Sequence, residues 1–249
     1  SEVDALRRAA AAVAEVLRVD ASAGDGGSAS SYDTVEQDVP PLQFVTKNDA
    51  SKLVVGQAQY SVICHDDGNA VDDCIVYRFE DRNMIVVNAS NKDKDFAWMQ
   101  KHKHDRFGDC TFVDNSDDYA LIAIQGPKAV GILQKLTDTE LEPIKYYHFT
   151  TGKVDGVESI ISRTGYTGED GFEVYAAAEY AEQLWNKMLE TGKEEGILPC
   201  GLAARNTLRL ESAMSLYGHE LGDDISTLEA NLGWITKLQK GDFLGRDKI

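Results

Sequence analysis

A run of carboxylates, DDGNAVDD over residues 66–73, is the part of this sequence most suited to chemistry. Its spacing does not fit an EF-hand calcium loop, which needs ligands at alternate positions and a glutamate at the twelfth. A polar hairpin turn explains the first half of the run. Asp72 and Asp73, however, open an apolar strand, so one of them must face inward, where a carboxylate is costly unless it is partnered or used. The pair is therefore a candidate for a functional carboxylate.

A glycine-rich segment, RTGYTGEDGFE over 163–173, places three glycines at intervals of three residues. Glycines at this spacing can bring the backbone close to a ligand. A phosphate-binding fingerprint would need a strand before the segment and a helix after it, which this pattern does not predict. A glycine-rich turn between two strands is the alternative interpretation.

Two arginines, Arg205 and Arg209, lie one helical turn apart near the end of the chain. A guanidinium group matches the geometry of a carboxylate, so Arg205 could bind an acidic ligand tail. A structural salt bridge explains the same pattern equally well.

Other classes of site find little support in the sequence. The five histidines form no metal-binding pattern, and the sequence contains neither a serine nucleophile elbow nor a Walker loop. The net charge of −17 argues against nucleic-acid binding, which needs clustered Lys and Arg. None of the four cysteines has CxxC spacing, which favours reduced, mostly buried thiols. No apolar run approaches the roughly 20 residues of a membrane span.

The elements that must position these residues alternate without a strict βαβ rhythm, which predicts an α+β fold with mixed or antiparallel sheets and packed helices. We predict strands at 59–64, 73–79, 84–88, 119–124, 157–162 and 171–175, and helices at 92–102, 126–133, 181–190 and 202–214.

The N-terminal part differs in composition from the rest of the chain. Residues 3–19 are Ala-rich and carry apolar residues at helical spacing, which predicts a helix, and residues 21–31 have the composition of a linker. We therefore predict an N-terminal helix plus linker over 1–43, followed by a compact region over 44–249 with lobes at roughly 44–140 and 141–249.

Several segments, in order from about residue 42 onward, resemble the T-protein family, the folate-dependent aminomethyltransferases of the glycine cleavage system. The blocks that carry the resemblance are NDASKL at 48–53, VDDCIVY at 71–77, VVNASN at 86–91, IQGP at 124–127, RTGYTGEDGFEVY at 163–175, PCGLAARNTLRLES at 199–212, LYGHE at 216–220 and LGW at 232–234.

The resemblance implies the folate-binding fold of that family, with ferredoxin-like lobes, and a transferase activity. The reaction would move an aminomethyl group from the lipoyl arm of the H-protein to tetrahydrofolate, giving methylene-tetrahydrofolate and ammonia. Tetrahydrofolate would be the co-substrate and the H-protein the partner that carries the lipoyl group. The compartment implied is the cytoplasm in a bacterium or the mitochondrial matrix in a eukaryote.

The resemblance also assigns site residues. Asp73 corresponds to the family's catalytic carboxylate beside the pterin. Glu173 would hydrogen-bond the pterin edge, and Arg205 would hold a carboxylate of the glutamyl tail. The implied folate contacts are Tyr60, Ile75, Tyr77, Asn88, Tyr146, Tyr166, Glu173 and Arg205.

Two departures from the family qualify this expectation. Residues 1–43 lack the family's Gly-Trp-Glu and Phe-Asp-Val-Ser-His-Met stretches, and the sequence stops before the C-terminal β-barrel domain. We therefore expect a truncated T-protein with an atypical N-terminus. Two alternatives stay open: a non-catalytic derivative that serves as a binding or structural subunit of a larger assembly, and a related folate-dependent demethylase acting on sarcosine or a related methyl donor.

Overall fold

The structure, a computed structural model, describes residues 15–21, 39–103, 107 and 110–249. Its contacts divide the described chain into two units. The five-stranded unit consists of Glu15–Ser116 and Ser215–Ile249, and the four-stranded unit consists of Asp117–Met214. Each unit has its own sheet and its own hydrophobic core.

The sheet of the five-stranded unit has the strand order β2-β3-β4-β1-β5, and all its pairs are antiparallel. Its strands are β1 (Glu15–Ala21), β2 (Gln57–Cys64), β3 (Ala70–Arg78), β4 (Asn83–Val87) and β5 (Cys110–Asp114). Its helices are α1 (Val39–Val45) and α2 (Lys92–Lys103). Apolar side chains from both helices and the sheet form the core, including Leu42, Ile63, Val76, Ile85 and Met99.

The predicted helix over residues 3–19 is wrong for residues 15–19, because Glu15–Ala21 is strand β1. This strand pairs with β4 on one side and β5 on the other, so its backbone groups have partners along both edges. That pairing outweighs the helical preference of the Ala-rich neighbouring sequence. Residues 3–14 and 22–31, the rest of the predicted helix and linker, lie outside the described residues.

The four-stranded unit has the strand order β6-β9-β8-β7, again antiparallel throughout. Its strands are β6 (Tyr119–Gln125), β7 (Phe149–Val154), β8 (Val157–Ser162) and β9 (Gly171–Ala177). Its helices are α3 (Ala129–Gln134), α4 (Ala181–Thr191) and α5 (Leu202–Glu211). Helices α3 and α4 bury Leu133, Leu184 and Met188 against Ile161 and Val174 of the sheet.

The last segment of the chain, Ser215–Ile249, belongs to the five-stranded unit rather than to the unit that precedes it. Its residues Leu221, Leu232 and Ile235 pack on Val62 and Ala70 to form a small core of their own. The predicted lobes, 44–140 and 141–249, therefore do not coincide with the two units. Packing of this returning segment cannot be read from local periodicity, since it joins residues far apart in the chain.

The predicted fold class, α+β with antiparallel sheets and packed helices, is confirmed. The predicted strands and helices from residue 59 onward are present, with ends shifted by a few residues. Strands β5 and β7 were not predicted. Among the described residues, none of the helices combines the length and the apolar character that crossing a bilayer requires.

Candidate functional site

One face of the five-stranded sheet brings together residues that the family resemblance implies. Asp73, Ile75 and Tyr77 occupy alternate positions of β3, so their side chains lie on the same face. Tyr60 on β2 is directly opposite Ile75 and shares that face. Asn88 follows β4 immediately and reaches Asp73. Residues of β2, of β3 and of the segment directly after β4 thus form one cluster.

Two side chains hold the Asp73 carboxylate. The Tyr60 hydroxyl donates to Oδ2 at 2.9 Å, and Nδ2 of Asn88 donates to Oδ1 at 2.7 Å. Burial, and next the negative charge of Asp72, raise the pKa of Asp73 to about 6, although the two hydrogen bonds act in the opposite direction. A carboxyl group with a pKa near 6 can hold or release a proton close to neutral pH, as a general acid or base must.

Asp72 lies on the opposite face of β3 and is fully buried, so the prediction that one member of the pair faces inward is confirmed. Its carboxylate accepts hydrogen bonds from the backbone N of Asn88 at 3.2 Å and from Nδ2 of Asn88 at 2.8 Å. The Asn88 amide therefore donates to both carboxylates, and it ties the buried Asp72 to the partly exposed Asp73.

A third carboxyl group, Asp95 of helix α2, lies behind this pair and was missed in the sequence analysis. It is fully buried, and neither of its oxygens accepts a hydrogen bond from a donor among the described residues. Burial, and then the neighbouring carboxyl group of Asp72, raise the pKa of Asp95 to about 10. The available signal was its spacing of four residues from Met99, which puts a carboxyl group on the apolar side of the helix.

Trp234 is a second residue that the sequence analysis did not assign to the site. Its ring stacks on Tyr60 with the centroids 6.1 Å apart and the planes 24° apart, yet 60% of the residue is exposed. Flat aromatic surface beside a carboxylate suits a planar heteroaromatic ligand with polar edges. Nothing in the local sequence predicts this contact, because the two rings come from segments far apart in the chain.

In the four-stranded unit, Glu173 on β9 is the buried acidic residue of the predicted set. The Thr164 hydroxyl donates to its Oε2 at 2.6 Å. Burial raises the pKa of Glu173, whereas the Thr164 hydrogen bond and the charge of Arg205 oppose the shift. Partial desolvation raises the pKa of the Tyr146 hydroxyl, and the charge of Glu173 adds to it. Tyr146, Glu173 and Arg205 thus interact electrostatically.

The two arginines of α5 differ in their surroundings. The Arg205 guanidinium lies 4.5 Å from the centroid of the Tyr166 ring, a cation–π contact that leaves its donors available to a ligand. Arg209 is buried, and it donates to Oδ1 of Asn206 at 2.8 and 2.9 Å and to the Met214 carbonyl at 3.1 Å. Arg209 is therefore a structural residue, whereas Arg205 keeps the geometry of an anion-binding group.

The glycine-rich segment is a turn between β8 and β9, as the alternative interpretation predicted. Arg163 closes it with two parallel hydrogen bonds to Asp170, at 2.9 and 2.6 Å. Nε2 of Gln125 donates to the carbonyls of residues 164 and 172 at 3.1 Å each. A Cβ atom on Gly165 would lie 1.9 Å from Oε1 of Gln125, so a side chain at this position would displace the Gln125 amide from these two hydrogen bonds.

A pocket of about 340 Å³ opens within the four-stranded unit, beside the turn. This volume is in the range of small-molecule sites. Its wall is mostly apolar, with Leu121, Ala123, Trp185, Met188, Leu202 and Leu208 among the lining residues. Its polar residues include Tyr166, Glu169 and Arg205. The predicted anion clamp therefore borders an apolar cavity.

The predicted site residues fall into two groups, one in each unit. The five-stranded unit brings together Tyr60, Asp73, Ile75, Tyr77 and Asn88, and the four-stranded unit holds Tyr146, Tyr166, Glu173 and Arg205. In the part of the chain that the structure describes, no group of three or more His, Cys, Asp or Glu side chains is arranged to hold a metal ion.

Comparison with known protein families matches residues 37–240 to the GCVT N-terminal domain. Among curated proteins, the chain is 52% identical over 207 residues to an aminomethyltransferase of Chloroherpeton thalassium, covering 83% of this chain and 57% of that protein. It is 50% identical over 211 residues to an aminomethyltransferase of Geobacillus sp., covering 84% of this chain and 57% of that protein. The chain thus spans little more than half the length of these relatives.

Among solved structures, the chain superposes on the glycine cleavage system aminomethyltransferase T from Bartonella henselae with a TM-score of 0.76 and 28% identity. The match covers 98% of this chain and 64% of that one. A heterotetrameric sarcosine oxidase from Corynebacterium sp. matches with a TM-score of 0.51 at 15% identity, over 79% of this chain and 95% of that one, a similarity of fold alone.

Proposed function

The chain belongs to the GCVT N-terminal domain family, and we propose that it takes part in aminomethyl transfer to tetrahydrofolate in glycine cleavage. In the proposed reaction, the aminomethyl group leaves the sulfur of the lipoyl arm, its carbon becomes the methylene of methylene-tetrahydrofolate, and its nitrogen departs as ammonia. The aminomethyltransferases at 50–52% identity support this proposal.

One observation carries the proposal: the Asp73 carboxyl group is held by Tyr60 and Asn88 on a sheet face that also carries Ile75, and burial raises its pKa to about 6. A carboxyl group in such a setting can exchange a proton with a ligand nitrogen near neutral pH. When ionised, it stabilises positive charge developing on the methylene carbon better than water would. Tyr60 and Asn88 fix its orientation through one hydrogen bond each.

The remaining residues of this cluster suit binding of a pterin. Tyr60 and Ile75, both partly exposed, present apolar surface on the sheet face that carries Asp73, and a flat heteroaromatic ring buries well against such surface. Tyr77 lies on the same face but is fully buried. The side-chain amide of Asn88 donates one hydrogen to Asp72 and the other to Asp73, so we propose that it orients the Asp73 carboxylate. Its side-chain oxygen, Oδ1, would accept a hydrogen bond from the ligand.

The four-stranded unit contributes its own proposed folate contacts. Arg205 would bind a carboxylate of the glutamyl tail, since its donors are held over Tyr166 without an ion-pair partner among the described side chains. Glu173 would accept a hydrogen bond from the pterin edge, and Tyr146, of which 60% is exposed, would pack on the ligand.

The proposed donor is the H-protein with its loaded lipoyl arm, and the proposed compartment is the one where glycine cleavage takes place, the cytoplasm of a bacterium or the matrix of a mitochondrion. A role as subunit of a larger assembly without transfer activity is the competing proposal. The two differ in a measurable way, since only the first requires folate binding and turnover.

The first test is calorimetric titration of the purified chain with tetrahydrofolate, followed by a transfer assay with loaded H-protein. We expect binding in the micromolar range and release of ammonia at the rate of methylene-tetrahydrofolate formation. Absence of folate binding would contradict the proposal. Binding without turnover, together with a stoichiometric complex with another protein, would favour the structural subunit instead.

A further inference from the structure

We infer that Ser212 and Gly168 are positioning residues for Arg205. The Ser212 hydroxyl joins helix α5 to the glycine-rich turn between β8 and β9 (residues 163–170), and Gly168 leaves room for that contact. Together they keep the Tyr166 ring against the Arg205 guanidinium beside the pocket. The benefit for folate binding rests on the proposed function, in which Arg205 holds a carboxylate of the glutamyl tail. The packing of the turn on the helix does not, because it can be measured without ligand.

One face of α5 carries three residues that meet the turn or the pocket. Arg205, Leu208 and Ser212 follow one another at intervals of three and four residues, so their side chains lie on the same side of the helix. Arg205 and Leu208 line the pocket, and Ser212 is the residue at the C-terminal end of the helix. The placement of Arg205 therefore depends on what holds this face against its surroundings.

Two contacts join this face to consecutive residues of the turn. The Arg205 guanidinium lies 4.5 Å from the centroid of the Tyr166 ring. The Ser212 hydroxyl donates to the Thr167 carbonyl at 3.2 Å and shares its hydrogen with the Leu208 carbonyl, at 2.9 Å, within the helix. Because Tyr166 and Thr167 are adjacent in the chain, a shift of Thr167 away from α5 would carry the Tyr166 ring away from Arg205.

The turn is also held from the sheet. The Thr167 hydroxyl donates to Oε1 of Gln125 at 3.2 Å, and Nε2 of Gln125 donates to the carbonyls of residues 164 and 172. These bonds fix the turn to β6, whereas the Ser212 bond fixes it to the helix that carries Arg205.

Gly168 follows Thr167 in the turn and has a φ of +77°, a left-handed conformation that favours glycine. A Cβ atom there would overlap the Ser212 hydroxyl and lie 3.0 Å from the Ser212 Cβ. Rotation of the hydroxyl would relieve the overlap but break its hydrogen bond to Thr167, and the close contact with the Ser212 Cβ would remain. A side chain at position 168 therefore separates the turn from α5.

Gly156 offers a matched control for the backbone conformation. It has a φ of +78° in the turn between β7 and β8, and a Cβ atom there would have no neighbour within 4 Å among the described residues. Gly156→Ala and Gly168→Ala add the same methyl group at nearly the same φ, but only the second meets Ser212. We expect both variants to have a lower Tm than the parent, because alanine is strained at such a φ. A difference between them in the placement of Arg205 then reports the contact with Ser212.

The first measurement needs no ligand. Protons held over an aromatic ring have NMR resonances that are shifted upfield, so the Arg205 side chain in the full chain should show such a shift, with its resonances assigned by Arg205→Lys. Gly168→Ala should reduce the shift, and Gly156→Ala should leave it unchanged. A shift that persists in Gly168→Ala would overturn the inference.

The second measurement is calorimetry with tetrahydrofolate and with a tetrahydropterin that lacks the glutamyl tail. Gly168→Ala should weaken tetrahydrofolate binding roughly 5- to 10-fold and leave tetrahydropterin binding within about 2-fold of the parent. Gly156→Ala should change neither affinity. Equal losses for the two ligands would overturn the inference, because a role through Arg205 affects only the ligand with a tail. A parent chain that binds no tetrahydrofolate would contradict the proposed function, and the Arg205 resonances would still decide the inference.

A second substitution tests the contact itself. Ser212→Gly should weaken tetrahydrofolate binding by about 3-fold, as expected for one weak hydrogen bond, and glycine is well tolerated at this helix end. In the Ser212→Gly background the methyl group added by Gly168→Ala meets no side chain, so it should weaken binding by less than about 2-fold further. The same loss from Gly168→Ala in both backgrounds would contradict the inference.

Discussion

Tyr60 donates a hydrogen bond of 2.9 Å to Asp73 across the β2–β3 hairpin, so the carboxyl group proposed to react is held by a phenol from the neighbouring strand. The two residues are diagonal neighbours on one face of the sheet. This relationship makes the protonation state of Asp73 dependent on Tyr60 and leads to the first prediction.

Tyr60→Phe should raise the pKa of Asp73 above its value of about 6, because it removes a hydrogen bond that favours the ionised carboxylate. The ring and its stacking on Trp234 remain in the variant. A 13C titration of the Asp73 carboxyl group measures the shift. Tyr180→Phe, at an exposed position in the other unit, is the matched control and should leave the titration unchanged. A lowered Asp73 pKa in Tyr60→Phe would contradict the prediction.

Asp73→Asn should abolish aminomethyl transfer while tetrahydrofolate binding largely survives. The amide keeps the size of the side chain and some of its hydrogen bonds but can neither accept a proton nor stabilise positive charge as a carboxylate does. Transfer kinetics and calorimetry measure the two effects separately. Asp66→Asn, in the exposed hairpin turn, is the control for a lost surface carboxylate. An Asp73→Asn variant as active as the parent would show that the assigned role is wrong.

Asp95→Asn should stabilise the fold at neutral and alkaline pH. The folded-state pKa of Asp95, about 10, lies above its unfolded value near 3.8, so the folded chain holds a proton that the unfolded chain releases. The free energy of unfolding therefore falls as pH rises between these two values, by up to about 1.4 kcal/mol per pH unit. Asparagine has no proton to release, which removes this dependence.

Denaturant unfolding at pH 5 and pH 8 tests this prediction. The gain in stability of Asp95→Asn over the parent should be larger at pH 8 and on the order of 1–3 kcal/mol. Asp93→Asn, earlier in the same helix and more exposed, is the control and should show a much smaller change between the two pH values. A gain that is larger at pH 5 would have the wrong sign for a protonated Asp95.

Arg205→Ala and Arg209→Ala should separate ligand binding from stability. Arg205 has a ring contact with Tyr166 and faces the pocket, so its loss should weaken tetrahydrofolate binding roughly 10- to 100-fold with little change in Tm. Arg209 is buried and holds Asn206 and the Met214 carbonyl, so its loss should lower Tm by several degrees. Calorimetry measures tetrahydrofolate binding by both variants, and thermal unfolding measures their Tm. The reverse pattern would exclude Arg205 as the anion-binding residue.

The sequence by itself determined most of the local structure. Alternating apolar residues predicted β2, β3, β4, β6, β8 and β9, since a half-buried strand must place every second side chain in the core. The same alternation required one of Asp72 and Asp73 to face inward. The glycine spacing around Gly165 was compatible with a turn, and the Gln125 amide packs against Gly165 in that turn.

Tertiary structure alone decided where long-range partners meet. Pairing with β4 and β5 made Glu15–Ala21 a strand, although the neighbouring sequence favours helix, because backbone groups along two sheet edges outweigh a weak local preference. Tertiary structure also brought Trp234 onto Tyr60 and placed the last segment, Ser215–Ile249, in the five-stranded unit. It also placed Asp95 against Asp72, and burial of that kind shifts pKa values that sequence spacing leaves unspecified.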